Sequence, residues 1–101
     1  KEVRSPKENR SNKSGKLIGR FKITHYAGDG ITSTQIKPTV GRTIAVDPRV
    51  IPYGSKVIIN GHTYIAEDCG GAIKGNKIDI FVNSEKEAKD KGWYYTEIYW
   101  G

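Results

Sequence analysis

The chain has a single cysteine, Cys69, and no methionine. One thiol excludes an internal disulfide and a zinc site built from thiolates. It does not fix the compartment, because exported bacterial proteins often lack disulfides. Long apolar runs are also missing: nothing approaches the ~20 residues of a membrane-crossing helix. The start carries no signal-peptide pattern, so the chain is expected to be cytoplasmic or a mature fragment, and its lysine-rich opening favours the fragment. With 36% hydrophobic residues in 101, the chain is expected to form one small domain with a limited core. Acidic residues are in the minority, 11 against 17 Lys and Arg, for a net charge of +6. Residues 1–16 hold six of those cations and two glutamates, a net +4 that leaves +2 for the rest. The excess sits in the tail rather than on a folded face, so no nucleic-acid partner is expected.

Residues 1–15 contain almost nothing apolar and read as a flexible basic linker, with the folded domain over 16–101. From Lys16 to Ala27 the pattern is strand-like, with Phe21, Ile23 and His25 on one face and Lys22, Thr24 and Tyr26 on the other. Residues 28–42 form a long connection rich in Gly, Pro, Ser and Thr, and a loop of that length in a compact domain is often functional. Thr43 to Val46 is a short buried strand, and Pro48 to Pro52 suits one helical turn capped by Asp47. Asn60-Gly61 sets a hairpin between Lys56–Ile59 and His62–Ala66. A strand over 78–82 and a short helix over 84–91 follow, the helix capped by Asn83 or Ser84 and ended by Gly92. The aromatic strand Trp93–Trp100 closes the chain, its rings expected chiefly in the core. About six strands and one or two short helices suggest a small closed or nearly closed barrel, since so few residues cannot cover two open sheets.

Three aspartates end strands or sit within them: Asp47, Asp68 and Asp79. Gathered in a cleft, crowded carboxylates raise one another's pKa, and one can stay protonated to act as an acid. Each also has an ordinary role: a cap for Asp47, an acceptor of loop amides for Asp68, a solvated strand residue for Asp79. The glycines of Gly70-Gly71-Ala72-Ile73-Lys74-Gly75 permit close backbone approach, but the run is not a phosphate-binding loop. There is no nucleophile elbow for a Ser-His-Asp site, and the aspartates lack calcium-loop spacing, so neither metal nor cofactor is expected. His25 reads as a packed strand residue and His62 as exposed. Cys69 reads as a small loop residue, its thiolate disfavoured by the neighbouring charge of Asp68.

Two stretches carry a resemblance. Thr43-Ile44-Ala45-Val46-Asp47-Pro48 with Ile51-Pro52-Tyr53-Gly54, and Ala66 to Asp79 (AEDCGGAIKGNKID), together resemble the three-aspartate ("3D") domain family of bacterial cell-wall proteins. That family is similar to the catalytic part of membrane-bound lytic transglycosylase A. Thr24 and Tyr26 stand where the family has a Thr-x-Tyr motif, while Cys69 departs from the usual threonine. The likeness extends over about residues 20–100 and is less close in the loop 28–40. It implies a mostly β, six-stranded double-psi barrel acting on peptidoglycan glycan strands. The implied reaction is non-hydrolytic cleavage of the MurNAc-β-1,4-GlcNAc bond, leaving a 1,6-anhydro-MurNAc end. Asp79 would be the catalytic acid and base, with Asp68 and Asp47 as supports in the same cleft. Thr24, Tyr26, Gly70, Gly71 and Lys74 would hold the sugar. The expected setting is secreted or wall-associated, in a bacterial or phage-encoded protein, with the basic tail drawn to anionic wall polymers. A glycoside hydrolase and a non-catalytic wall-binding module are the alternatives.

Overall fold

The computed structural model describes residues 15–28 and 30–101. The expected linker therefore lies, apart from Gly15, outside the described residues. Among the described residues six strands appear in chain order: β1 (Leu17–Tyr26), β2 (Thr43–Ala45), β3 (Lys56–Ile59), β4 (His62–Asp68), β5 (Lys77–Phe81) and β6 (Tyr94–Trp100). A helix, α1 (Glu85–Lys91), lies between β5 and β6. The strands close into a barrel in the order β1-β5-β2-β4-β3-β6, with β6 returning to β1. The β1–β5 and β2–β4 pairs are parallel and the others antiparallel. This is the expected six-stranded barrel, with one helix. The segment after Asp47 is a single turn, in which the amides of Val50 and Ile51 both donate to the Asp47 carbonyl.

Strand alternation decides what faces inward. Phe21 and Ile23 of β1, Ile44 of β2, Val57 and Ile59 of β3, and Ile78 and Ile80 of β5 fill the interior, joined by Ile98 of β6. Burying each such side chain contributes about 1.5–3 kcal/mol, and closure leaves no strand edge open to another chain. Asn60 and Gly61 have φ of 50° and 80°, the left-handed pair that a two-residue hairpin requires. Ser84 caps α1 by accepting from the Glu87 amide, and Gly92 ends it at φ 64°.

β6 corrects one expectation. Ile98 is its fully buried residue, and Tyr94 and Trp100 pack on the core, but Tyr95 and Tyr99 are exposed, as is the preceding Trp93. At period two a seven-residue strand alternates its side chains between interior and solvent, so the rings cannot all enter.

Candidate active site

The same alternation that sends Phe21, Ile23, Ile78 and Ile80 inward turns Lys22, Thr24 and Tyr26 of β1, and Lys77, Asp79 and Phe81 of β5, to the outer face. Parallel register sets Lys22 beside Lys77, Thr24 beside Asp79, and Tyr26 beside Phe81. Ala45 of β2 is the register partner of Asp79 on one side and of Asp68 on the other. A small side chain thus separates two carboxylate-bearing positions on the two strands that flank β2.

The Thr24 hydroxyl donates to Asp79 Oδ1 at 2.8 Å, and among the described residues no donor reaches Oδ2. Burial pushes the Asp79 carboxyl above the usual carboxylate range; Thr24, Lys77 and His25 pull it back, while the charge of Asp68 adds to the rise. Asp68 is held more fully. Its Oδ1 accepts from the Ser33 amide, the Ser33 hydroxyl and the Cys69 amide, each at 2.9 Å. Its Oδ2 accepts from the Tyr26 hydroxyl at 3.1 Å. Burial, with the adjacent Asp68 carboxylate, raises the Tyr26 phenol beyond its ordinary value, which keeps it a proton donor.

Of the predicted site residues, the structure brings Thr24, Tyr26, Asp68 and Asp79 together. Gly70 and Gly71 follow directly from Asp68 and Cys69, where the Gly70 carbonyl accepts from Ile73 and turns the loop. Lys74 is exposed, and its charge helps lower the Cys69 thiol. Asp47 has partners of its own. Its carboxylate is 3% exposed; it accepts from Arg49 Nε and an Arg49 terminal nitrogen, each at 3.1 Å, from the Arg49 amide at 3.0 Å, and from the Gly75 amide at 2.9 Å. The Arg49 side chain, then the Gly75 amide, hold it well below the usual carboxylate range. Asp47 therefore ties the glycine loop to the turn after β2.

Cys69 corrects a second expectation. The Ser33 hydroxyl at 3.1 Å, then Tyr53, favour its thiolate and outweigh the Asp68 charge, so its pKa is lowered. Sequence spacing exposed the repulsion but not these donors, which arrive from segments 36 and 16 residues away in the chain.

Ser33 carries no distinguishing signal in the sequence. The length of the 28–42 connection marked that loop, but nothing in its Ser/Thr-rich composition separates Ser33 from Thr32 or Thr34. The loop walls a hollow of about 190 Å³ lined by Tyr26, Ile31, Thr32, Pro38, Asp68 and Phe81. Asp79 does not line it; it lies two residues before Phe81 on the same face of β5. A second hollow of about 260 Å³ shares Gly28, Gly30, Pro38 and Phe81 with the first and adds Lys37. The arrangement offers one protonatable carboxyl, one carboxylate fixed by four donors, and an adjoining cavity.

The model of the 3D domain family matches residues 42–100. The chain is 52% identical over 67 residues to the Cell wall-binding protein YocH of Bacillus subtilis, covering 62% of this chain and 23% of that protein. It is 42% identical over 88 residues to the Putative cell wall shaping protein YabE of the same organism, covering 78% of this chain and 22% of that protein. It thus spans about a quarter of the length of these curated relatives. Among solved structures, the lytic transglycosylase MltA from E. coli superposes with a TM-score of 0.58 at 26% identity, over 72% of this chain and 27% of that one. MltA with bound chitohexaose gives 0.59 at 23% identity, over 72% and 28%.

Proposed function

Because the chain belongs to the 3D domain family, we propose that it acts on bacterial cell-wall peptidoglycan as a lytic transglycosylase, with Asp79 as the single general acid and base. The observation that carries this is the state of Asp79: a partly buried carboxyl with a raised pKa, held by Thr24 through one oxygen. Glycosidic cleavage needs a proton delivered to the leaving oxygen. In the lytic reaction the sugar's own 6-hydroxyl attacks C1, so no second carboxylate has to activate water. Asp79 gives its proton to the GlcNAc oxygen as the bond to MurNAc C1 breaks. The resulting carboxylate then takes the 6-hydroxyl proton as that oxygen closes onto C1.

Asp68 serves as an organiser, and its nearby charge favours the protonated form of Asp79. With Oδ1 accepting three hydrogen bonds and Oδ2 one, it is poorly placed to activate a water, which disfavours a hydrolase. The hollow beside Tyr26 and Asp68 takes part of the sugar or its substituents, with Gly70, Gly71 and Lys74 on the neighbouring loop. Asp47 acts by positioning that loop. The setting is the wall, outside the membrane.

Digestion of purified peptidoglycan tests the assignment. Wild type is expected to release anhydro-muropeptides, one water lighter than hydrolytic products, and a folded Asp79→Asn variant none. Retained product in that variant refutes the role of Asp79, and products carrying the added water make the enzyme a hydrolase. The names of the two Bacillus relatives favour a second reading, a wall-binding module without catalysis. Its signature is wild-type protein that sediments with sacculi and releases nothing.

A further inference from the structure

On the outer face of the barrel, where β6 runs beside β1, stands an aromatic ledge that the chemistry above does not use. Trp93 is 62% and Tyr95 52% exposed, and their rings meet edge to face with centroids 6.0 Å apart. Set side by side, the two rings form one exposed apolar patch. The ledge is also held in place. Lys22 Nζ lies 4.7 Å from the Trp93 ring centroid, and the Arg20 guanidinium lies 5.8 Å from that of Tyr95. Arg20 in turn pairs with Glu97 at 3.3 Å.

Register ties this ledge to Asp79. Tyr95 is the partner of Lys22, and Lys22 the partner of Lys77. Thr24, two residues along from Lys22, is the partner of Asp79. Side chains at register partners share a face, so Tyr95, Lys22, Lys77, Thr24 and Asp79 lie on one continuous outer surface. The contact of Lys22 with the Trp93 ring puts Trp93 there too. The ledge stands two strands from β5, a lateral separation of ~10 Å at the usual strand spacing, about the length of a disaccharide.

Resting on the peptidoglycan reading above, we propose that Trp93 and Tyr95 form a distal sugar subsite, stacking pyranose rings of the glycan strand one disaccharide away from the bond at Asp79. A pyranose presents a face of C–H groups that an aromatic ring covers well, while the ring edges stay wet. Lys22 and Lys77 lie between ledge and acid, where lactyl or peptide-stem carboxylates would pass. The occupant is an extended glycan, since a disaccharide seated at Asp79 ends before reaching the ledge.

Titration calorimetry with chitobiose and chitohexaose on the Asp79→Asn protein reads this subsite without turnover. The parent is expected to bind the hexamer more tightly than the dimer. The Trp93→Ala/Tyr95→Ala double variant should weaken hexamer binding about tenfold and leave dimer binding unchanged, with Trp93→Phe restoring part of the loss. Both residues are exposed, and an unchanged melting temperature checks the fold. Equal hexamer affinity in parent and double variant overturns the subsite, as does a parent that binds dimer and hexamer alike. Product released by Asp79→Asn in the digestion assay would remove the catalytic assignment and leave this measurement standing.

Discussion

Thr24 and Asp79 are direct register partners in the parallel β1–β5 pair, and the Thr24 hydroxyl donates to Asp79 Oδ1 at 2.8 Å. A hydroxyl on the neighbouring strand thereby opposes the rise that burial imposes on the carboxyl. The strand pairing that builds the barrel also tunes the proposed acid.

Thr24→Val removes that donor and keeps the shape. The ionised form of Asp79 loses a stabilising bond, so its pKa rises further. Activity that needs the protonated acid then persists to higher pH, and the alkaline limb of the pH–rate profile moves upward. The maximal rate is expected to fall about tenfold, as the carboxyl loses its anchor. Thr24→Ser should keep the wild-type profile. An unmoved limb in Thr24→Val would separate the hydroxyl from the titrating group.

Asp79→Asn has a consequence for stability of opposite sign to its effect on activity. The folded pKa of Asp79 lies above that of the unfolded chain, so its share of stability is full below about pH 3.9 and is lost as pH rises through the folded value. The asparagine does not ionise. At neutral pH the variant should melt at or above the wild-type temperature, and the difference should vanish below about pH 4. A variant less stable at pH 7 than at pH 4, relative to wild type, contradicts the raised pKa.

The barrel was legible because its signals are local. Period-two alternation gives Phe21 and Ile23 an inward face, Asn60-Gly61 dictates its hairpin, and Ser84 and Gly92 bound α1 through bonds within a few residues. The site was legible in part for the same reason: Thr24 and Tyr26 share the outer face of β1, and Asp79 lies outward between two isoleucines. The remainder depends on contacts made across the chain. Ser33 reaches Asp68 from a loop whose path no short-range rule sets. Arg49, two residues from Asp47, looks like any surface arginine until its guanidinium closes on the carboxylate. Trp93 and Tyr95 meet their cationic neighbours Lys22 and Arg20 only once β6 pairs with β1, which no local pattern reveals.

Glu67 offers a test of the scaffold next to the site. Its side chain is 6% exposed and pairs with Arg42, whose terminal nitrogen lies 2.7 Å and Nε 2.9 Å from Oε2. Thr43 donates to Oε1 at 2.8 Å. Arg42→Ala strands a buried carboxylate and should cost about 2–4 kcal/mol, read as a lower urea midpoint with unchanged slope. Adding Glu67→Gln should recover part of the loss, because a neutral amide is cheaper to bury. A loss below about 0.5 kcal/mol would mean that the pair behaves as a surface ion pair.

Asp47 supplies the sharpest division among the three aspartates. Arg49 and the Gly75 amide hold its folded pKa below the unfolded value. Its stabilisation is therefore present above about pH 3.9 and is lost as pH falls through the folded value, the reverse of Asp79. Asp47→Asn should lower the melting temperature at neutral pH, with the gap to wild type closing on acidification below about pH 4. Because the carboxylate fastens Gly75, the glycine loop beside Asp68 should loosen, visible as faster amide exchange at Gly75. Activity should fall through weaker substrate binding. The pH limbs should stay in place, since the groups that shift Asp79 are its burial, Thr24, Lys77, His25 and Asp68. A displaced alkaline limb in Asp47→Asn would return Asp47 to the titrating cluster and refute its assignment as the tether of the loop.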